Sequence, residues 1–209
     1  MTLFPHSVET ERLRLERLTS DDLWDLYDHA RTDAPGIDEV TRHLTWDPHE
    51  TPKVTRDFVT MVESQWAEGE VATYVVRPRD GEANAGEFGG ATGLTVDWER
   101  RLGTLGLWLK PPLWGRGYSG ERAGALLALA FDRLDLDVVA VTHDPANDAS
   151  RRAIEKYVDR FGGRREGTFR HAAVGHGGGV LDHVRYSVAR EEWRAAVGED
   201  HGVRFGVES

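Results

Sequence analysis

The sequence predicts an α/β (α+β) domain of about seven strands and about four helices in the order βααβββαβαββ. Three observations carry this expectation. Apolar residues alternate between a two-residue and a three-to-four-residue period along the chain. The stretch from Gly86 to Leu109 reads as an antiparallel hairpin around Asp97-Trp98-Glu99-Arg100-Arg101. Finally, a short apolar strand runs through a Pro-marked turn into a glycine loop that opens a helix.

The elements follow in order. Thr10 to Leu18 alternates as a strand through Leu13 and Leu15. Thr19 caps a helix, with Asp22 three residues on and Leu23, Leu26, Tyr27 and Ala30 on one face. Residues 32–50 read as a loop. Thr51-Pro52 starts a second helix carrying Phe58, Val62 and Trp66, with proline at its first position. Val71 to Val76 is a β-branched strand, followed by the hairpin strands Gly86–Val96 and Gly103–Leu109. A third helix runs from about Ser119 to Leu134, a strand from Asp137 to Thr142 and a fourth helix from Asp148 to Phe161. Two strands, Arg164–Ala172 and Leu181–Ala189, flank the loop Gly175-His176-Gly177-Gly178-Gly179, and Glu191–Val197 can add a short helix. Residues 1–197 form the expected domain and residues 198–209 a loosely ordered tail.

Composition narrows the function. The chain has 209 residues, enough for one real core. It has no apolar run approaching the ~20 residues that span a bilayer and no signal-peptide pattern, so a cytoplasmic protein without membrane attachment is expected. The absence of cysteine excludes disulfides, thiolate metal sites and a cysteine nucleophile. A formal charge of −10 opposes nucleic acid. Of the 26 basic residues only Lys53, Lys110 and Lys156 are lysine; the rest are arginine. With the acidic excess, this bias suggests the surface of a halophile.

The most informative stretch runs from Leu107 to Glu121. A glycine loop opening a helix presents unpaired N–H groups at the positive end of the helix dipole, a geometry that binds phosphate or pyrophosphate. A P-loop would end in Gly-Lys-Ser/Thr, whereas this loop ends Ser119-Gly120-Glu121. Gly115, Gly117 and Gly120 match the dinucleotide pattern literally, and Asp144 stands near the ribose-binding position. Against that reading, Lys110 to Trp114 separates strand from loop, and the upstream half forms hairpins rather than βαβ units. A dinucleotide oxidoreductase is therefore the lesser alternative.

Leu113-Trp114-Gly115-Arg116-Gly117-Tyr118-Ser119-Gly120-Glu121 resembles motif A of the GNAT acyltransferase superfamily, Gln/Arg-x-x-Gly-x-Gly/Ala. It is most similar to the RimJ/RimL-like branch, with its Tyr-Trp-Gly-Lys-Gly-Tyr-Ala-Thr-Glu-type segment. Trp114 stands at the Gln/Arg position and Ser119 at the final small position. The element order is also that of the superfamily. Thr10-Glu11-Arg12-Leu13-Arg14-Leu15 and Asp182-His183-Val184-Arg185-Tyr186-Ser187 with Glu192-Trp193 resemble the branch's two ends. The resemblance implies a mixed, mostly antiparallel central sheet. It also implies acetyl-CoA as cofactor and a primary amine as acceptor, with a protein N-terminus ahead of small amines. Monomer and homodimer are both compatible with it.

The same resemblance assigns residues. Backbone groups of Leu107, Trp108 and Leu109 would meet pantetheine and polarise the thioester carbonyl. Trp114, Gly115, Arg116, Gly117, Tyr118, Ser119 and Gly120 would grip pyrophosphate. Asn147-Asp148-Ala149-Ser150 resembles the branch's Asn-x-x-Ser, in which Asn binds pantetheine and Ser is proposed to protonate the departing sulfur; Asn147 can also cap the fourth helix. Ile154 stands where many members have a catalytic Tyr, which leaves Tyr157, about one turn on, as the second acid candidate. Where relatives carry a basic Glu after Glu166-Gly167-Thr168-Phe169-Arg170, this chain has none; His171, Asp97 and Asp182 are substitutes. That gap keeps open a non-catalytic acyl-CoA sensor. His43, Trp46 and His49 are candidates for the acceptor cleft, Trp46 being equally suited to the core. The spacing of His171, His176 and His183 is not that of a metal site.

Overall fold

Leu13 and Leu15 are fully buried while Arg14 between them is exposed, the alternation that makes this segment a half-covered strand. The computed structural model describes residues 2–198 and 201–206. A short strand precedes the expected first one: β1 (Ser7–Glu9) pairs antiparallel with β2 (Leu13–Arg17). A 3₁₀ turn leads into α1 (Leu23–Ala30), and the Asp22 carboxylate accepts the Thr19 N–H at 3.1 Å, half of the expected capping box. The loop expected at residues 32–50 contains a short helix, α2 (Ile37–Thr41), whose Gly36 N-cap is left-handed at φ 78°. Helix α3 (Pro52–Glu68) begins on the predicted proline and ends at Gly69 in the left-handed region.

Strands β3 (Val71–Pro78), β4 (Gly90–Asp97) and β5 (Leu102–Leu109) form a meander. Helix α4 (Tyr118–Ala128) continues through a π-type turn, Leu129–Arg133, to β6 (Val138–His143). Helix α5 (Asp148–Arg160), β7 (Arg164–Val174), β8 (Val180–Ala189) and α6 (Arg190–Val197) follow. Part of the tail expected to be loosely ordered is instead a strand, β9 (Arg204–Gly206), because β1 offers it a free edge. Residues 199–200 and 207–209 of that tail lie outside the described residues.

The sheet has nine strands in the order β7-β8-β6-β5-β4-β3-β2-β1-β9. Every pairing is antiparallel except β5 with β6. The α/β class and mostly antiparallel sheet thus stand as expected, with two extra strands at one edge. Both faces are covered. On β3, Tyr74 and Val76 join a large core with α4 and α5, whereas Val75 points oppositely into a second core with Leu26, Val59 and Val62. No helix of the described residues is long and apolar enough to cross a membrane.

Charge on the surface yields a solution prediction. An excess of acidic groups repels itself over a Debye length of ~30 Å at 0.01 M salt but only ~3 Å at 1 M. The melting temperature should therefore climb steadily from dilute buffer to molar KCl. A flat or falling curve would mean that the arginine-rich, acidic composition does not reflect salt adaptation.

Candidate functional site

The one parallel ladder of the sheet is short. It pairs Leu102 with Val138 and ends at Leu105 with Val141. Beyond it β5 stays on β4 as far as Leu109, while β6 stays on β8 as far as His143. A gap therefore opens between two lips, Leu107–Leu109 on one side and Thr142–Asp144 on the other.

Strand alternation decides which backbone groups face the gap. Lys110 N–H bonds Gly89 C=O at 3.0 Å, and Gly106 C=O accepts the Thr92 hydroxyl at 2.7 Å, so both residues turn toward β4. Trp108 lies in phase with them, and Leu107 and Leu109 turn toward the gap. The Leu109 C=O is taken by the indole N–H of Trp114 at 2.8 Å. Leu107, with the N–H of Leu109, is thus the polar edge offered to a ligand. Trp108, expected to contribute backbone, contributes a side chain instead: its ring packs 5.7 Å from Trp46 and 5.8 Å from Phe88 in the second core.

At the wide end of the gap the glycine loop turns into α4. Gly115 and Gly117 sit at φ 75° and 82°, backbone that residues with a Cβ rarely adopt. Trp114 N–H bonds Pro111, and Gly120 and Glu121 N–H both bond Gly117. Between them, the N–H groups of Gly115, Arg116, Gly117, Tyr118 and Ser119 donate to no acceptor among the described residues. A Cβ on Gly115 would meet nothing within 4 Å, and one on Gly117 only Arg12 Nη2 at 3.5 Å. A row of donors in open space fits a pyrophosphate. Tyr118 offers its N–H alone, since its ring is buried and its hydroxyl donates to Glu82. Arg116 Nε bonds Pro112 C=O at 3.0 Å.

A latch that the sequence reading missed holds this loop. The Glu121 carboxylate accepts the Thr10 hydroxyl at 2.6 Å, the Arg12 N–H at 2.8 Å and Arg12 Nε at 2.7 Å. Arg12 Nη1 also donates to Arg116 C=O at 3.0 Å, inside the loop. Its signal lay in the Thr10-Glu11-Arg12 segment and in the loop's terminal Glu.

Asn147 caps α5, its side chain accepting Ser150 N–H at 2.9 Å. Its amide nitrogen makes no hydrogen bond among the described residues. Ser150 is half-buried on the first turn of α5, and its hydroxyl makes no hydrogen bond among the described residues. Tyr157 is in another setting. It is 3 % exposed and lines a small cavity with Leu105 and Val141, the last pair of the ladder. Burial pushes its phenol up, against the pull of the buried Arg122 guanidinium. Burial in turn lowers Arg122.

The acceptor-cleft candidates separate. His49 is buried, bonds Thr55 Oγ1 at 2.8 Å through Nδ1, and packs on Phe58; burial lowers its pKa. It is a core residue rather than the expected cleft residue. Trp46 is half-buried and packs on Trp108 against the second core. His43 bonds Asp144 Oδ2 at 2.7 Å through Nδ1. Burial works against the Asp144 charge, but the Ala146 N–H and His43 outweigh it and hold the carboxyl below the usual range. His183 stands near Asp144 and is kept low by burial. Of the substitute bases, Asp97 sits at the β4–β5 hairpin, the opposite end of β5 from the gap. His171 N–H bonds Asp182 Oδ1 at 2.9 Å on the exposed side of β7. No group of three or more His, Asp or Glu among the described residues could hold a metal.

Comparison with known proteins follows the same line. Residues 12–157 match the model of the acetyltransferase (GNAT) domain. An uncharacterised N-acetyltransferase, YnaD of Bacillus subtilis (strain 168), is 32 % identical over 89 residues, 43 % of this chain and 49 % of that protein. The chain thus matches about half the length of this curated relative. A GCN5-related N-acetyltransferase from Brucella melitensis superposes with TM-score 0.72 at 23 % identity, over 94 % of this chain and 86 % of its own. Mycobacterium smegmatis RimJ, solved with CoA-disulfide, superposes with TM-score 0.75 at 15 % identity, over 98 % and 99 %. At these identities the structures speak for the fold, whereas the domain match spans both the glycine loop and the Asn147 turn. The chain belongs to the GNAT acetyltransferase family.

Proposed function

We propose that this chain transfers acetyl from acetyl-CoA to a primary amine, with a protein N-terminus as the leading acceptor and small amines second. One observation carries the reading. The gap edge at Leu107 and the free N–H row of Gly115–Ser119 are joined by a turn of only five residues. A thioester on a pantetheine arm with a pyrophosphate at its far end matches that spacing of needs. The RimJ/RimL-like loop sequence supports the choice of acceptor.

Each residue then has a defined task. Gly115 to Ser119 hold pyrophosphate through backbone donors. Leu107 N–H meets the thioester carbonyl, where charge develops as the amine attacks. Asn147 reaches the arm with its amide, and Ser150 donates a proton to the departing sulfur. The dinucleotide alternative loses its ribose contact, because Asp144 is engaged by His43 and Ala146.

The test is a thermal-shift panel of acetyl-CoA, succinyl-CoA, NAD and NADP, followed by mass spectrometry of peptide and polyamine acceptors. Acetyl-CoA should raise the melting temperature, by mass action on the native state alone. A shift with NAD and none with acetyl-CoA would overturn the reading. Binding without any acetylated product would leave a sensor.

Ser150→Ala should lower kcat about tenfold or more while the KM for acetyl-CoA stays within about twofold, as for a group acting mainly in the transition state. Tyr157→Phe should leave kcat near wild type, because its hydroxyl is sealed in the core. The reverse pattern would transfer the acid role to Tyr157. Free coenzyme A can be read with a thiol reagent, since the chain has no cysteine.

A further inference from the structure

One segment touches both lips of the gap. Trp46 packs on Trp108 of β5, and His43, three residues earlier, bonds Asp144 at the end of β6. The segment therefore crosses the mouth where an acyl group would be presented, and His43 is its titratable side chain there.

The hydrogen bonding fixes how that imidazole is used. An ionised carboxylate only accepts, so the Nδ1 facing Asp144 carries the proton, and in the neutral imidazole the lone pair lies on Nε2. Asp144 is itself immobilised: Oδ1 accepts Ala146 N–H at 2.9 Å, and its C=O accepts from His143 Nδ1 and Asn147 N–H, each at 2.8 Å. His43 Nε2 makes no hydrogen bond among the described residues, and the side chain is 23 % exposed. Base, orienting carboxylate and accessible lone pair form the arrangement that proton abstraction requires. The other titratable groups facing Asp144 are His183 from β8 and, beside it, His143 of β6, whose Nε2 is buried without a partner.

We propose that His43 is the general base of the acyl transfer and Asp144 its positioning residue, a role that rests on the acyltransferase reading above. As the amine nitrogen attacks the thioester carbon, the C–N bond forms and His43 Nε2 takes the nitrogen's proton. The C–S bond then breaks, the sulfur leaves with the electron pair and is protonated by Ser150, which is reprotonated from water. His43 returns its proton to water. An acetyl thioester and an amine become an amide and a thiol, and starting from the ammonium form one proton is released.

The test uses the full chain, acetyl-CoA and a hexapeptide with an N-terminal serine. His43→Gln should lower kcat ~100-fold or more, with the Kd for acetyl-CoA by calorimetry within about twofold. Asp144→Asn should lower kcat with the same Kd. In wild type, nitrogen NMR should show the Nδ1–H tautomer at His43, and in Asp144→Asn that preference should be lost. Acetyl-CoA should also protect His43 from diethyl pyrocarbonate. Wild-type turnover in His43→Gln, an Nε2–H tautomer, or bound acetyl-CoA without protection would each overturn the base role alone. Failure of acetyl-CoA to bind wild type would overturn the cofactor reading and this role with it. If the peptide is not turned over, the tautomer and protection results decide.

Discussion

Gly117→Val is expected to abolish acetyl-CoA binding, weakening Kd at least ~100-fold by calorimetry while the protein stays folded. The position lies at φ 82°, where an L-residue costs roughly 1–2 kcal/mol and a β-branched one is worst placed. The chain would relieve that cost by rotating the peptide units on either side, and those units carry the Gly117 and Tyr118 donors. The added methyls would also stand in the open space above the N–H row, bounded only by Arg12 Nη2 at 3.5 Å. The residue is exposed, so the apo melting temperature should fall by only a few degrees. Wild-type affinity in this variant would remove the glycine loop from the binding site.

The second large effect is expected from Glu121→Ala. This carboxylate is 16 % exposed on its side chain and collects a hydroxyl, an amide N–H and a guanidinium. Its loss leaves the buried Thr10 hydroxyl only its longer contact to Leu13 C=O at 3.2 Å and frees Arg12, which is about one-third exposed and can rehydrate. Hydrogen bonds to charged groups contribute about 1.5–3 kcal/mol, so a loss near 2 kcal/mol and a fall of roughly 4–8 °C are expected. Glu121→Gln should recover part of the stability. In both variants acetyl-CoA should bind more weakly, because Arg12 no longer anchors the Arg116 carbonyl. Unchanged affinity with lowered stability would make the latch structural only.

What could be read beforehand follows from how local the cause is. The meander and α3 were legible because alternation, turn residues and the Thr51-Pro52 start act over a few residues. Strand β1 was not, since Ser7-Val8-Glu9 has one apolar residue and depends on pairing with β2. Helix α2 was hidden by its five-residue length and by an αL glycine cap that also reads as a turn. The glycine loop and the Asn147 turn were legible as single segments. The Glu121–Arg12 and His43–Asp144 pairs were not, because partners 109 and 101 residues apart leave no spacing to read. His49 was misplaced for a related reason: burial against Thr55 and Phe58 is a property of packing.

The two rims of the nine-stranded sheet bear on edge-to-edge association between copies. A sheet edge is a template on which another chain can add a strand. At one rim, β9 is three residues long and ends the ladder with Arg204 paired to Glu9, too short to recruit a neighbour. At the other, β7 runs eleven residues almost wholly exposed, with Phe169 and Val174 open to solvent. Register breaks between Arg165 and Gly167 and between Phe169 and Ala173 interrupt its pleat. Arg165 and Arg170 add positive charge along this strand, whereas Arg164 pairs with Glu192 and Glu166 with Arg185. The outermost strand is thus interrupted in its regularity rather than covered.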